Sequence, residues 1–148
     1  VLDLPTTIAR INASYGPNGG LPAYHGDWVA AGEPVWLREP GPNAYSPIHE
    51  DDMARQVEAL LEAASAPATI VNWCGDDVVT AEEWVALYGV HLGVEPELAR
   101  YELPGGQPGS AGDPTRRLSL TGPCTVDWRD GMVATLDARI DSKGSTGK

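Results

Sequence analysis

The chain alternates between short β-branched runs and longer stretches in which apolar residues recur every three or four positions. Residues 6–13, Thr-Thr-Ile-Ala-Arg-Ile-Asn-Ala, are apolar or β-branched apart from Arg10 and Asn12. They predict a buried strand that stops at a Gly16-Pro17 turn. Pro22 suits the first turn of a short helix to about residue 31, and Gly32 supplies its stop. Residues 34–37 predict a short strand, followed by a turn-rich connection over residues 39–43. From residue 51 to about 64 the period becomes helical, with Ala54, Val57, Leu60, Leu61 and Ala64 on one stripe and Asp51 or Asp52 as cap. Residues 68–73 predict a second buried strand. Thr80-Ala-Glu-Glu83 matches a capping box and opens a helix to about Gly93, with Trp84, Leu87, Tyr88, His91 and Leu92 inward. Residues 97–103 predict a strand and residues 105–112 a Gly/Pro/Ser loop. A last helix spans residues 127–138, capped by Asp127, with Met132, Val133 and Leu136 inward. Residues 140–148 are small and polar and predict a flexible tail.

Strands alternating with helices predict an α/β fold with parallel pairing, and a parallel sheet is covered on both faces. The two sheet strands, near residues 6–13 and 68–73, find few neighbours in this chain. An apolar face or edge near residues 6–13 is therefore expected to lie open and to pair with another chain or aggregate. With 148 residues, 42% hydrophobic and 21% charged, the composition is that of one globular domain rather than a disordered chain. No apolar run approaches the ~20 residues that span a bilayer. The opening Val1-Leu-Asp-Leu-Pro carries no targeting pattern and reads as a chain entered partway through.

Net charge is −11, and no basic cluster exceeds Arg116-Arg117. This excludes nucleic acid and anionic membranes as expected partners, because both require a basic patch. Cys74 and Cys124 lie far apart, which predicts reduced thiols in a cytoplasmic protein. His25, His49 and His91 are scattered without ligand spacing, so no metal site is expected.

In open α/β sheets ligands bind beyond the carboxyl ends of strands, which marks Asn12, Ser14 and Tyr15. Three segments occur in order: Arg10 to Tyr15-Gly-Pro17, Ile48-His-Glu-Asp-Asp52, and Asp113-Pro-Thr-Arg116 followed by Leu118, Leu120 and a terminal helix. Together, over roughly residues 1–139, they resemble the C-terminal half of the extended short-chain dehydrogenase/reductase family, the NAD-dependent epimerases and dehydratases. The resemblance implies the C-terminal part of a Rossmann-like parallel sheet (residues 1–17 and 65–93) with a small α+β substrate-binding lobe (residues 18–64 and 94–139). The N-terminal cofactor-binding half is expected to be missing. It implies NAD or NADP as cofactor, with Ile11, Asn12 and Ala13 beside it and Ser14, Tyr15, His49 and Arg116 toward a small-molecule substrate. The expected partner is the missing half or another chain, with a homodimer as a further form.

Two departures bear on the substrate. Aligned on Tyr15-Gly-Pro17, the family's asparagine falls on Ala13, one place after Asn12, and its basic residue before the histidine falls near Tyr45. A sugar nucleotide and a smaller or uncharged substrate both stay open. The Gly-rich cofactor loop is absent, as is any Tyr-x-x-x-Lys pair, so no catalytic residue is assigned and the chain alone is expected to be inactive. Each marked residue also has a plain reading. Tyr15 packs a turn, Asn12 and Ser14 cap one, His49 bonds across the lobes, and Arg116 pairs with an acid. Trp73 and Trp84 read as core. Two other functions remain: a non-catalytic module that senses cofactor or binds protein, and an acid/base hydrolase using Asp51 or Asp52.

Overall fold

A computed structural model describes residues 3–102 and 104–145. The strand expected over residues 6–13 is divided into β1 (Thr7–Ile11) and β2 (Ser14–Tyr15). Asn12 makes the break, because its Oδ1 accepts from the backbone N–H groups of Ala13 and Ser46, each at 2.9 Å. Helix α1 (Leu21–Ala31) has Pro22 in its first turn and ends at Gly32, whose φ of 70° is left-handed. Then come β3 (Val35–Glu39), β4 (Ala44–Tyr45), β5 (Ile48–His49), α2 (Glu50–Glu62), β6 (Thr69–Trp73) and β7 (Val79–Thr80). Helix α3 (Ala81–Leu92), β8 (Leu98–Glu102), α4 (Thr115–Thr121) and α5 (Trp128–Ser145) complete the order.

β1 pairs in parallel with β6, from Thr7 opposite Thr69 to Ile11 opposite Trp73. β2 pairs with β5, and β3 with β8, also in parallel; β4 and β7 are antiparallel. Side chains alternate across a strand, so the β1–β6 pair has two unlike faces. Thr69 and Val71 are buried on the side packed by α2 and α4, whereas Ile8 and Ile70, directly opposite each other, are exposed. The open apolar face expected near residues 6–13 is thus present.

The main core lies between α1, α3 and α5, where Val29, Trp84, Tyr88, Met132 and Leu136 pack together. Gly26 permits this approach: a β-carbon there would press on Leu136 at 3.2 Å and on Tyr88 at 3.4 Å. α3 begins with the anticipated capping box, in which Glu83 N–H donates to Thr80 Oγ1 at 3.2 Å and Thr80 N–H donates to Glu83 Oε2 at 2.7 Å. Asp127 likewise caps α5, accepting from the N–H of Arg129 at 2.9 Å.

Four expectations are corrected. The inward positions of α2 are Asp52, Gln56 and Leu60, while Ala54, Val57 and Leu61 face outward, Leu61 with 69% exposure. Hydrogen bonds reverse the face: Trp73 Nε1 donates to Gln56 Oε1 at 2.9 Å, and Asp52 receives donors from another segment. The cap of α2 is His49, whose Nδ1 accepts from Asp51 N–H at 3.2 Å, rather than Asp51 or Asp52. His91 is on the surface beside Asp137, at 2.7 Å, and not in the core. α5 continues to Ser145, so residues 140–145, expected as tail, form its last turns, and residues 146–148 lie outside the described residues.

Candidate functional site

The carboxyl end of β1 is a junction of three segments. Besides its two acceptor bonds, Asn12 donates from Nδ2 to the carbonyl of Ser110 at 2.6 Å. One amide thereby fixes the break after β1, the approach to β5 and the loop over residues 107–112. Ile11 stands outward at this end with 58% exposure, and Ala13 and Ser14 are half-buried. Tyr15 turns the other way. It is 2% exposed within the main core, its ring edge-on to that of His49 at 5.1 Å. Burial, followed by the charges of Asp127 and Asp52, pushes its phenol far above the ordinary tyrosine range.

A cavity of about 370 Å³ opens between α1, β3, β4, β8 and the loop over residues 107–110. Strand alternation builds its wall: Val35 and Leu37 go into the core, so Trp36 and Arg38 share the opposite face, next to Tyr101 of β8. Arg38 donates from Nε to the Tyr101 hydroxyl at 3.2 Å and from Nη1 to the carbonyl of Gln107 at 3.0 Å. The buried Asn43 braces the strand beneath, accepting from Arg38 N–H and donating to Arg38 O, each at 2.9 Å. The loop lies tight on β4 because residue 109 is glycine; a β-carbon there would collide with the backbone of Ala44.

His25 lines the same cavity from α1. Its Nδ1 accepts from Trp84 Nε1 at 3.0 Å, which leaves the ring proton on Nε2. Burial lowers its pKa from 6.5 to about 4, so the ring is neutral at pH 7. No described residue accepts from Nε2. Tyr45, where the resemblance places a basic residue, also lines this space, and Arg38 is the guanidinium found there instead.

A second cavity, about 300 Å³, lies at the start of α2 and is lined by His49, Asp52, Asp76, Asp77, Cys124 and Asp127 among others. Asp52 is fully buried and committed. It accepts from the N–H groups of Thr125 at 2.8 Å and Val126 at 3.0 Å, and from Arg55 Nη2 at 2.9 Å. Burial opposes its charge, yet these donors hold its carboxyl below the usual range. With its lone pairs so engaged it is a structural anchor, and Asp51 is exposed, which removes the basis for the hydrolase reading. No group of three or more His, Cys, Asp or Glu residues suited to a metal ion occurs among the described residues.

The two arginines of the late motif part company. Arg117 is fully buried, donating to the carbonyls of Cys74 at 3.1 Å and Gly122 at 2.7 Å and pairing with Asp76. Arg116 is exposed and lines neither cavity. Of the residues marked from sequence, the structure gathers Ile11, Asn12, Ala13 and Ser14 at the end of β1 and sets Tyr15 with His49 beneath them. Arg116 stands apart. Arg38 and His25 are not among the residues that the sequence marks for the site. The signal for Arg38 was the in-out alternation of Val35-Trp-Leu-Arg38, while His25 carried no local sign.

No protein-family model and no curated protein matches the sequence. The fold, in contrast, matches solved structures closely. UDP-glucuronic acid 4-epimerase from Bacillus cereus, in complex with UDP-glucuronic acid and NAD, superposes with a TM-score of 0.80 at 19% identity over 94% of this chain. UDP-glucose 4-epimerase from Thermus thermophilus, in complex with NAD, gives 0.77 at 20% identity over 93%. dTDP-glucose 4,6-dehydratase from Bacillus anthracis, in complex with NAD, gives 0.76 at 16% over 93%. The chain spans 46%, 47% and 45% of those three structures, about half of each. At these identities the likeness is one of fold: an α/β unit like the C-terminal half of the Rossmann-like epimerases and dehydratases. No helix among the described residues is long and apolar enough to cross a membrane.

Proposed function

We propose that this chain is the substrate-binding portion of an NAD(P)-dependent epimerase, dehydratase or reductase acting on a sugar or another small hydroxy or carbonyl compound. The observation that carries the reading is the fold match over 94% of this chain and 46% of the B. cereus epimerase. Two uncovered apolar surfaces support it: Ile8 with Ile70 on the sheet, and Val57 with Leu61 on α2. Both are surfaces that a further lobe would cover.

NAD(P), when bound, exchanges a hydride with a substrate carbon. The exposed Ile11 and half-buried Ala13 fit the apolar edge of a planar cofactor ring, and Asn12 fixes the backbone that presents them. Ser14 stands at the entry to the substrate lobe. Tyr15 and His49 act as positioning residues beneath it, while Arg116, exposed and outside both cavities, reaches a substrate anion only if the missing lobe brings one to it. The proton that accompanies hydride transfer is handled by groups outside this chain, since no Tyr-x-x-x-Lys pair is present.

The test compares the 148-residue chain with a longer protein that includes whatever its gene encodes upstream. The longer protein should carry a Gly-rich loop and Tyr-x-x-x-Lys and should enhance NADH fluorescence; the shorter chain should not. An upstream sequence lacking both motifs, or tight NADH binding by the shorter chain, would refute the assignment.

A further inference from the structure

The 370 Å³ cavity differs in charge from four other cavities among the described residues. Those four each include carboxylates, from Asp52, Asp76, Asp77 and Asp127 in one to Glu33, Glu95 and Glu97 in another. This one has no acidic residue in its wall and includes Arg38. In a chain of net charge −11, an anion here meets attraction rather than repulsion.

Its donors are set in advance. A guanidinium carries five N–H groups; Tyr101 and Gln107 engage two from Arg38 and hold the group in place. The rest can grip one oxyanion, and the fork geometry favours two parallel bonds. His25 lines the same space and keeps Nε2–H as its remaining donor, because Trp84 fixes the tautomer. The walls between are aromatic: Trp36, Tyr45 and Tyr101. Flat apolar walls with a few placed polar groups suit a small planar ligand.

We propose that this cavity binds a small planar ligand bearing a single oxyanion, with Arg38 reading the anion and His25 donating to a second acceptor on the ligand. Glu82, which accepts from Asn43 N–H at 3.1 Å, is already matched by Arg100 at 2.9 Å, and Arg38 makes no ion pair among the described residues, so it keeps its charge for the ligand. One cation answers one negative group and leaves a diphosphate under-compensated. The cavity therefore selects a carboxylate or a phosphate monoester over a nucleoside diphosphate. As a statement about substrate, the proposal rests on the enzyme reading above; as a statement about binding, it stands alone.

The experiment is calorimetric titration of the 148-residue chain with 2-naphthoate, 2-naphthyl phosphate, 2-naphthol and UDP, with amide NMR shifts to place the site. Saturable 1:1 binding of either anion, shifts at Trp36 and Tyr101, and weaker binding of 2-naphthol are expected. Whichever anion binds tighter names the oxyanion. Arg38→Gln should weaken anion binding about tenfold or more, the range of a charged hydrogen bond. Arg38→Lys should recover part of it, and thermal melts of both variants separate lost binding from lost folding. Equal binding of 2-naphthol and 2-naphthoate, an Arg38→Gln variant that folds and binds unchanged, or UDP binding tighter than either anion would overturn the proposal. NADH plays no part in this titration, so its result is independent of the test of the enzyme assignment.

Discussion

His25 joins the chemistry of one side chain to the stability of the whole chain. Its pKa is about 4 when folded, against an ordinary value of 6.5, because burial disfavours the cation. Between those values the unfolded chain binds more protons, so stability is full above about pH 6.5 and falls as the solution is acidified toward pH 4. The amplitude is on the order of 3 kcal/mol. His25→Gln keeps an acceptor for Trp84 Nε1 and should flatten urea-derived stability across this interval. A wild-type protein equally stable at pH 6.5 and pH 4.5 would contradict the buried, neutral ring. Asp27, Asp52 and Glu82 are held below the ordinary carboxylate range and respond at lower pH. Although burial opposes their charge, hydrogen-bond donors hold it: Arg139 for Asp27, the N–H groups of Thr125 and Val126 for Asp52, and backbone N–H with Arg100 for Glu82. Their contribution is lost below about pH 4.

At the scale of elements, the helices that carry the core are ended by local chemistry. α3 delivers Trp84 and Tyr88 to the contact with α1 and α5, and its first turn is closed by the reciprocal Thr80 and Glu83 bonds. Thr80→Ala leaves the Glu83 N–H without its side-chain acceptor. It should cost about 1 kcal/mol, read as a lower urea midpoint at unchanged slope. A change below a few tenths of that figure would show that solvent replaces the cap at no loss. α2 behaves differently, because its inward face is decided by partners in other segments rather than by its own period.

For the molecule as a whole, the open side of the β1–β6 pair is the consequential feature. Ile8 and Ile70 lie opposite each other on an exposed face, and β1 and β6 have no other strand partner among the described residues. Such a surface draws a second polypeptide. The isolated chain should therefore sediment with a weight-average coefficient that rises with concentration. Ile8→Lys combined with Ile70→Lys should return it to monomer, while each exposed substitution shifts stability by only about 0.5 kcal/mol. A wild-type chain that remains monomeric across that range would count against both the open face and the enzyme reading.

What the residues determine alone is what short-range geometry determines. Gly32 in its left-handed turn, the Thr80–Glu83 box, the Asp127 cap and the β-branched run at Thr69–Trp73 each depend on neighbours within a few positions, and each forms where the sequence places it. The ordered motifs carried the fold class as well. What tertiary structure decided is which polar groups go inside. Asp52 is buried because Thr125 and Val126, 73 and 74 positions away, bring N–H donors to it, and Arg117 because Cys74 and Asp76 meet it. Val57 and Leu61 stay outside for the same reason. Arg38 and His25 share a cavity only because β3 pairs with β8 and α1 packs alongside. A buried polar side chain is stable only with partners around it, and in this chain those partners lie far away in sequence.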